Sequence, residues 1–306
     1  MKNRGVMEIP FAWLFAIIVG GFILFLAIFA ATKITDTEEE VIGASASKEI
    51  GILLNPLEIG FESAKTTFVT LQRESRVYNR CDNDGNFGNQ MISVSQKSLD
   101  KWTKPSVNVS FQNKYIFSEE FVEGRTLLIF SKPFEFPFKI ADVVYITSSK
   151  KQYCFVDPPK EISDELSNLN QQNIFIEDCP ETSEKVCFSG DCEIKVNFAS
   201  KYVEKNSERM YFPENSLMYA AIFSDPSVYE CQVKRLAQRG EKLVDLYIEK
   251  EISISGRNCK SNLNGELSLL KSTFGNVDKS VNINTAVVNE VERLKEKNEA
   301  SLCRLW

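Results

Sequence analysis

The feature that most constrains this chain is an apolar segment near its N-terminus, residues 9–31, which contains no charged side chain. A helix rises about 1.5 Å per residue, so a segment of this length can cross the roughly 30 Å hydrocarbon layer of a bilayer. A cleaved secretion signal has a shorter apolar core followed at once by a small-x-small site, and none follows here. We therefore predict a permanent transmembrane helix over residues 9–32.

The charges on either side of this segment predict its orientation. Lys2 and Arg4 precede it, whereas Asp36 and the three glutamates at residues 38–40 follow it. Because cationic flanks stay in the cytoplasm, residues 1–8 are predicted to form a cytoplasmic tail and the rest of the chain to be exported. The expected location is the cell membrane, crossed once, with the main domain extracytoplasmic.

Two features of the helical segment predict contacts with other molecules. Residues 33–56 are expected to continue the helix as a juxtamembrane stalk that stops before Pro56. Within the span, Ala12, Ala16 and Gly20 recur at every fourth position and form a face along which another helix can pack closely. The expected partners are the lipid bilayer and other proteins or a second copy of this chain, contacted through the span and stalk.

All eight cysteines lie beyond the span, and their number is even. This distribution is typical of disulfides formed in an oxidising compartment. The segment KVCFSGDCEIKV predicts two short strands joined by a Ser-Gly-Asp turn, which brings Cys187 and Cys192 face to face. The sequence does not indicate how the others pair; they are Cys81, Cys154, Cys179, Cys231, Cys259 and Cys303.

Composition narrows the possible functions. The chain of 306 residues contains no histidine, which removes Ser-His-Asp and Cys-His catalysis and the commonest metal ligand. Its net charge of −6 argues against a surface that binds nucleic acid. Carboxylate pairs, Ser-Lys pairs or a metal held by oxygen atoms remain possible for an enzyme, but no catalytic motif is readable. We expect no cofactor and no metal, and an enzyme is not favoured.

Residues 57–130 are predicted to be mainly β and residues 131–306 to be mixed α/β, so the exported part is expected to be a disulfide-containing α+β domain. The segment DNDGNFG is predicted to turn one strand into the next. An EF-hand calcium loop starting at Asp82 would need glycine at its sixth position and an acid at its twelfth, where Phe87 and Ser93 stand. A plain turn is therefore the interpretation.

Further along the chain, the patterns alternate between strands and helices. KEISDELSNL and residues 263–274 and 285–302 have helical spacing, NIFIED predicts a short strand, and SLMYAAIFSD predicts a longer apolar strand. A helix is expected to begin at Pro226 with Asp225 as its cap, although a catalytic role for this acid at a strand end remained an alternative. The aromatic residues of 133–138 are predicted to be buried rather than to form an edge docking site.

Asn108-Val109-Ser110 is a possible glycosylation sequon on the exported side. Its use would require a glycosylation machinery in the same compartment.

The N-terminus resembles that of type IV pilin precursors, in which a short basic tail ends in glycine and a glutamate precedes the apolar helix. Arg4, Gly5 and Glu8 correspond to these features, with Glu8 two positions before the place where the family has its glutamate. The resemblance covers about the first 50 residues. It implies cleavage after Gly5 and assembly into a filament.

The segments KEIGILLNPLEIGFESAKTT, KPFEFPFKIADVVYITSSKKQYCFV and YAAIFSDPSVYECQVKRL make the chain similar to a group of uncharacterised single-span surface proteins from small-genome archaea. This resemblance implies a membrane-anchored, cysteine-bearing exported domain and no particular activity. The leading hypothesis is an anchored cell-surface protein with a structural or partner-binding role. The alternatives are a pilin-like filament subunit and an anchored hydrolase that uses two carboxylates.

Overall fold

A computed structural model describes residues 13–33, 65–98, 100–255, 259 and 261–306. The first element is helix α1, Trp13–Lys33, whose 21 residues are long and apolar enough to cross a membrane. None of this helix is buried against the rest of the protein. A helix that is apolar on every face requires a non-aqueous environment or another protein around it.

Two sheets follow. Sheet one contains seven strands, ordered β3-β2-β1-β6-β7-β5 with β4 also paired to β2. Its strands are β1 Lys65–Asp82, β2 Asn89–Ser98, β3 Lys101–Trp102, β4 Val109–Phe111, β5 Tyr115–Phe117, β6 Phe121–Glu135 and β7 Lys139–Ser148. All pairs are antiparallel except β5 with β7, which run parallel. The predicted hairpin at DNDGNFG is confirmed, since it joins the paired strands β1 and β2.

Sheet two contains six strands, ordered β13-β12-β11-β10-β8-β9. They are β8 Tyr153–Val156, β9 Ile174–Ile176, β10 Glu184–Cys187, β11 Ile194–Asn197, β12 Tyr202–Lys205 and β13 Glu208–Tyr211. Strands β9, β8, β10 and β11 run parallel, and β12 and β13 continue the sheet antiparallel. Residues 149–152 connect β7 to β8 and so pass from sheet one to sheet two.

The helices are α2 Lys160–Leu169, α3 Asn215–Phe223, α4 Pro226–Ser255, α5 Asn264–Gly275, α6 Ser280–Asn282 and α7 Val288–Ala300, with a π-helical turn at Ile283–Val287 before α7. Helix α4 begins at Pro226 as predicted, and helices α2, α5 and α7 confirm the helical spacing of their segments. The α+β class is also confirmed.

The predicted strand in SLMYAAIFSD is wrong, because this segment forms helix α3. All but the first of its nine residues are buried. A helix surrounded by protein has no polar face, so its sequence lacks the 3.6-residue alternation that distinguishes a helix from a buried strand. Phe223, the last residue of α3, packs against both sheets. Its ring centroid lies 5.5 Å from that of Phe130 in sheet one and 4.9 Å from that of Tyr153 in sheet two.

The main hydrophobic core lies between the two sheets and the helices, and includes Phe134, Phe136 and Phe138 from the aromatic segment. The prediction that this segment is buried is confirmed. The boundary drawn after residue 130 falls inside β6, so the first sheet extends to Ser148 and shares one core with the second. Residues from both predicted regions therefore contribute to one hydrophobic core.

A smaller apolar cluster lies on the opposite face of sheet one, because alternate residues of β6 and β7 point to opposite faces. At the edge strand β5, side chains supply hydrogen bonds to a backbone carbonyl. Asn79 Nδ2 and Gln232 Nε2 both donate to the carbonyl of Ile116, at 3.2 and 3.1 Å. The edge of β5 is thereby linked to β1 and α4 through side chains.

All eight cysteines lie in four pairs at disulfide distance: Cys81–Cys231, Cys154–Cys179, Cys187–Cys192 and Cys259–Cys303. The first pair connects the end of β1 to α4 across 150 residues of sequence. The structure thus pairs Cys187 with Cys192, although the flanking strands β10 and β11 run parallel, with Cys187 opposite Lys195. The two sulfurs therefore meet across the connecting loop and not across a strand ladder.

Candidate functional site

The structure describes only some of the residues singled out from the sequence at the N-terminus. Arg4, Gly5, Glu8, Ala12 and the predicted stalk beyond Lys33 lie outside the described residues. Ala16 and Gly20 lie on one exposed face of α1, and a Cβ atom added at Gly20 would meet nothing within 4 Å. This face is open to close approach by another helix.

The sequon residue Asn108 is exposed in the connection between β3 and β4. A glycan attached there would point into solvent. The position is thus sterically suited to the predicted modification.

A cleft of about 620 Å³ lies between the two sheets, and we call it the inter-sheet cleft. The Glu119-Glu120 loop before β6, the start of β6 and the turn between β7 and β8 form one wall, and the N-terminal end of β10 forms the other. The turn is tight, since Lys151 N–H donates to the carbonyl of Ser148 at 3.1 Å. This turn carries Lys150 and Lys151 to the mouth of the cleft.

An ionic network occupies the floor of this cleft. Lys151 Nζ contacts Glu119 Oε1 and lies 2.9 Å from Glu184 Oε2. Lys205, whose side chain is only 5% exposed, lies 3.7 Å from the same oxygen of Glu119 and donates to the carbonyl of Ser224 at 3.4 Å. Two lysines and two glutamates from four separated segments therefore meet here, which fixes the loop before β6 against sheet two.

The electrostatics of this network keep Lys151 charged. Burial opposes the ammonium, but the nearby carboxylates of Glu119 and Glu184 outweigh it and raise the pKa of Lys151. Burial, with these same carboxylates and Asp225, raises the pKa of the Tyr153 hydroxyl far above its ordinary value. At neutral pH both side chains therefore keep their protons, so neither Lys151 nor Tyr153 is a base or a nucleophile.

A second cleft of about 500 Å³ lies on the other side of Phe121, which lines both. We call it the aromatic cleft. Its apolar wall is formed by Tyr78, Met91, Phe121 and Val228. Tyr78 and Phe121 are directly opposite one another on β1 and β6, and their ring centroids are 6.1 Å apart at an angle of 48°. Phe121 is 47% exposed, although it belongs to a central pair of strands.

The start of α4 positions the loop between the clefts. Asp225 Oδ2 accepts a 2.7 Å hydrogen bond from the backbone N–H of Glu120, and Ser227 Oγ donates to Glu120 Oε1 at 3.2 Å. Asp225 lies at the N-cap position of α4, since its carbonyl accepts a 2.9 Å hydrogen bond from the N–H of Tyr229, and its carboxylate binds the neighbouring Glu119-Glu120 loop and not the helix. Its position explains the residue structurally without a catalytic role.

The acids of the inter-sheet cleft can be compared with the pair that the hydrolase hypothesis requires. Glu119 and Glu184 are two acids in a concave site, as the hydrolase hypothesis requires, but Lys151 Nζ occupies the position between them. In glycosidases that position holds the bond to be cleaved or a water molecule. Among the described residues, no group of three acids or cysteines is arranged to hold a metal ion. The two clefts have an exposed aromatic ring, that of Phe121, between charged and polar walls.

Sequence reasoning did not identify Glu119, Phe121, Lys151 or Glu184 as members of one site. Lys151 lies 32 and 33 residues from Glu119 and Glu184 in the sequence, and the contact of its side chain with these acids depends on the arrangement of the sheets. The chain matches no protein-family model, no curated protein and no solved structure. The interpretation of the site therefore depends on its own geometry.

Proposed function

We propose that this protein is a single-pass membrane-anchored surface protein whose α+β domain lies outside the cytoplasm and has a structural or partner-binding role. The observation that carries the proposal is the combination of α1, apolar and exposed along its whole length, with eight cysteines in four pairs. An exposed apolar helix is stable within lipid, and paired cysteines persist in oxidising compartments. The clefts on either side of Phe121 are the surface proposed to meet a partner.

Membrane extraction combined with protease protection tests this proposal. The full chain is expected to remain in the membrane pellet after alkaline carbonate treatment and to dissolve only in detergent. Protease added to intact cells is expected to remove the domain that begins near residue 65. A domain protected in intact cells, with thiols that react before reduction, would contradict the proposal.

A matched pair of substitutions tests whether α1 itself is the anchor. Arginine at the centre of a span costs about 2.5–3.5 kcal/mol in insertion free energy, and much less at its end. Ile23→Arg with Leu24→Arg is therefore expected to release the protein from membranes. Thr32→Arg, beside Lys33, is the control and should leave the protein in the pellet.

The pilin-like alternative differs in the mature N-terminus. Cleavage after Gly5 predicts a protein that begins at Val6, whereas a plain anchor keeps the preceding residues. Intact-mass measurement of the membrane-extracted protein separates the two. The exposed face of Ala16 and Gly20 is compatible with either, since both allow helix packing.

A further inference from the structure

The two clefts are adjacent and meet at Phe121, which is part of the lining of each, so that together they make up one lined surface. We call this surface the Phe121 groove. It extends from the N-terminal end of α4, past the Glu119-Glu120 loop, to the loop that precedes β10. Its floor is built on strands and helix ends held by the Cys81–Cys231 disulfide and the network around Lys151. A groove on such elements is preformed, so a ligand that binds there need not order it.

The aromatic corner of the groove suits a cationic side chain. Tyr78 and Phe121 present two inclined rings beside the carboxylate of Glu120. A guanidinium of this chain already uses the same chemistry, since Arg76 Cζ lies 5.4 Å from the centroid of Phe121 and 4.1 Å from that of Trp102. Cations are attracted to aromatic rings within about 6 Å.

The charges that line the groove have an acidic excess. Six carboxylates face three cationic side chains; the acids are Glu119, Glu120, Glu123, Glu181, Glu184 and Glu193, and the cations are Arg80, Lys150 and Lys151. Five of the acids are engaged within the described part of the protein: Glu119 and Glu184 by Lys151, Glu123 by Arg76, Glu120 by Ser227, and Glu193 by the backbone N–H of Lys185 at 3.2 Å. Glu181 and Glu193 are exposed and form no ion pair with any described residue. The groove thus keeps negative charge available along one side.

We propose that the Phe121 groove binds an extended basic segment of a partner polypeptide, with a lysine or arginine side chain against the rings of Phe121 and Tyr78. The next basic side chains of that segment would face Glu181 and Glu193 in the inter-sheet cleft. Charge complementarity favours this occupant over nucleic acid, whose phosphates the acidic lining repels. The inference deepens the proposed function, since it depends on the domain being a partner-binding module.

Fluorescence anisotropy with purified full-length protein in detergent tests the inference. The probe is a fluorescein-labelled peptide of alternating lysine and serine, compared with a matched glutamate–serine peptide and with a neutral glucan hexamer. The lysine peptide is expected to bind, and to bind more weakly as NaCl is raised from about 50 mM to about 300 mM, because added salt screens exposed charges. The other two ligands are expected not to bind.

Two sets of variants locate the site. Phe121→Ala and the double variant Glu181→Gln with Glu193→Gln are each expected to weaken binding of the lysine peptide about tenfold, which corresponds to about 1.4 kcal/mol. The controls are Phe68→Ala, an exposed phenylalanine on β1 outside both clefts, and Glu208→Gln, an exposed glutamate on β13. Both controls should bind as the wild type does.

The inference is overturned if the lysine peptide does not bind, if neither set of variants weakens it, or if the glutamate peptide or the glucan binds equally well. These outcomes are independent of membrane topology, because the assay uses purified protein. If the lysine peptide does not bind but the membrane extraction gives the expected result, the proposed membrane anchoring is still supported and only the proposal of a basic peptide ligand is rejected. A thermal melt of each variant verifies that it is folded.

Discussion

Arg235 on α4 shows how this domain accommodates polar residues within its interior. Its side chain is fully buried, and its guanidinium donates to the carbonyls of Phe87, Gln112 and Lys114 at 2.8 to 3.0 Å. Burial lowers the pKa of this guanidinium, against a smaller opposing influence of Tyr115 and Asp82. Because arginine stays protonated in proteins, hydrogen bonds to carbonyl oxygens compensate for its lost hydration. The residue therefore fixes two backbone segments, the turn before β2 and the connection before β5.

Glu214 is the residue whose titration we expect to affect stability. Burial raises the pKa of its carboxyl, and the hydrogen bonds donated by Ser216 Oγ and by the Glu135 backbone N–H offset only part of that effect. The folded state then binds a proton more tightly than the unfolded state does. The part of the folding stability that depends on this proton is complete when the pH is below 4.5, the ordinary pKa of the group. It is lost as the pH rises through the raised pKa of the carboxyl in the folded state.

Glu214→Gln is therefore expected to raise the thermal midpoint at pH 7 by on the order of 2 °C, with the difference shrinking below pH 4.5. The amide oxygen can still accept from Ser216. Thermal melts across this pH range measure the effect, and the exposed Glu208→Gln is the control that should show no such trend. A variant less stable than the wild type at pH 7 would contradict the assignment.

At the scale of elements, the disulfides connect parts of the chain that differ greatly in sequence separation. Cys81–Cys231 joins β1 to α4 across 150 residues, whereas Cys187–Cys192 closes a loop of separation 5. Cross-linking distant residues restricts the unfolded chain more than cross-linking near ones. The Cys81–Cys231 bond also holds together two of the elements that line the aromatic cleft, β1 and α4.

We expect the Cys81–Cys231 and Cys187–Cys192 disulfides to differ in how much each stabilises the fold. Two double variants, in each of which both cysteines of one pair are replaced with serine, measure this difference. The chain-entropy estimate is about 5 kcal/mol for removing the Cys81–Cys231 bond and about 2 kcal/mol for removing the Cys187–Cys192 bond. Urea denaturation of the two double variants measures the difference in the free energy of unfolding. Equal losses, or a larger loss for the short loop, would mean that native packing outweighs chain entropy at these sites.

At the scale of the whole molecule, the apolar helix α1 and the eight paired cysteines are the features on which the proposed location outside the reducing cytoplasm depends. We expect polyethylene-glycol maleimide to add no label to the denatured, unreduced full chain and eight labels after reduction, since the chain contains eight cysteines. Gel shifts count the labels. Two or more labels before reduction would show that a pair is open in the mature protein.

The fold could be predicted in part. Regular alternation identified the β1–β2 hairpin and helices α2, α5 and α7, because each has one buried face and one exposed face. Helix α3 was not recognised, because burial on all sides leaves no periodic signal. The parallel arrangement of β10 and β11 was equally unreadable, since a short apolar run does not encode the direction of its neighbour.

The sequence by itself determined the local features of this protein: an apolar helix long enough to cross a bilayer, an even set of cysteines beyond it, and the absence of histidine chemistry. Each depends on composition or on spacing within a short segment. Only the tertiary structure decided which cysteines pair and that Phe121 lies between two clefts. It also brought Lys151 between Glu119 and Glu184. These depend on the order in which strands join two sheets, and strand order follows from packing between residues far apart in the chain.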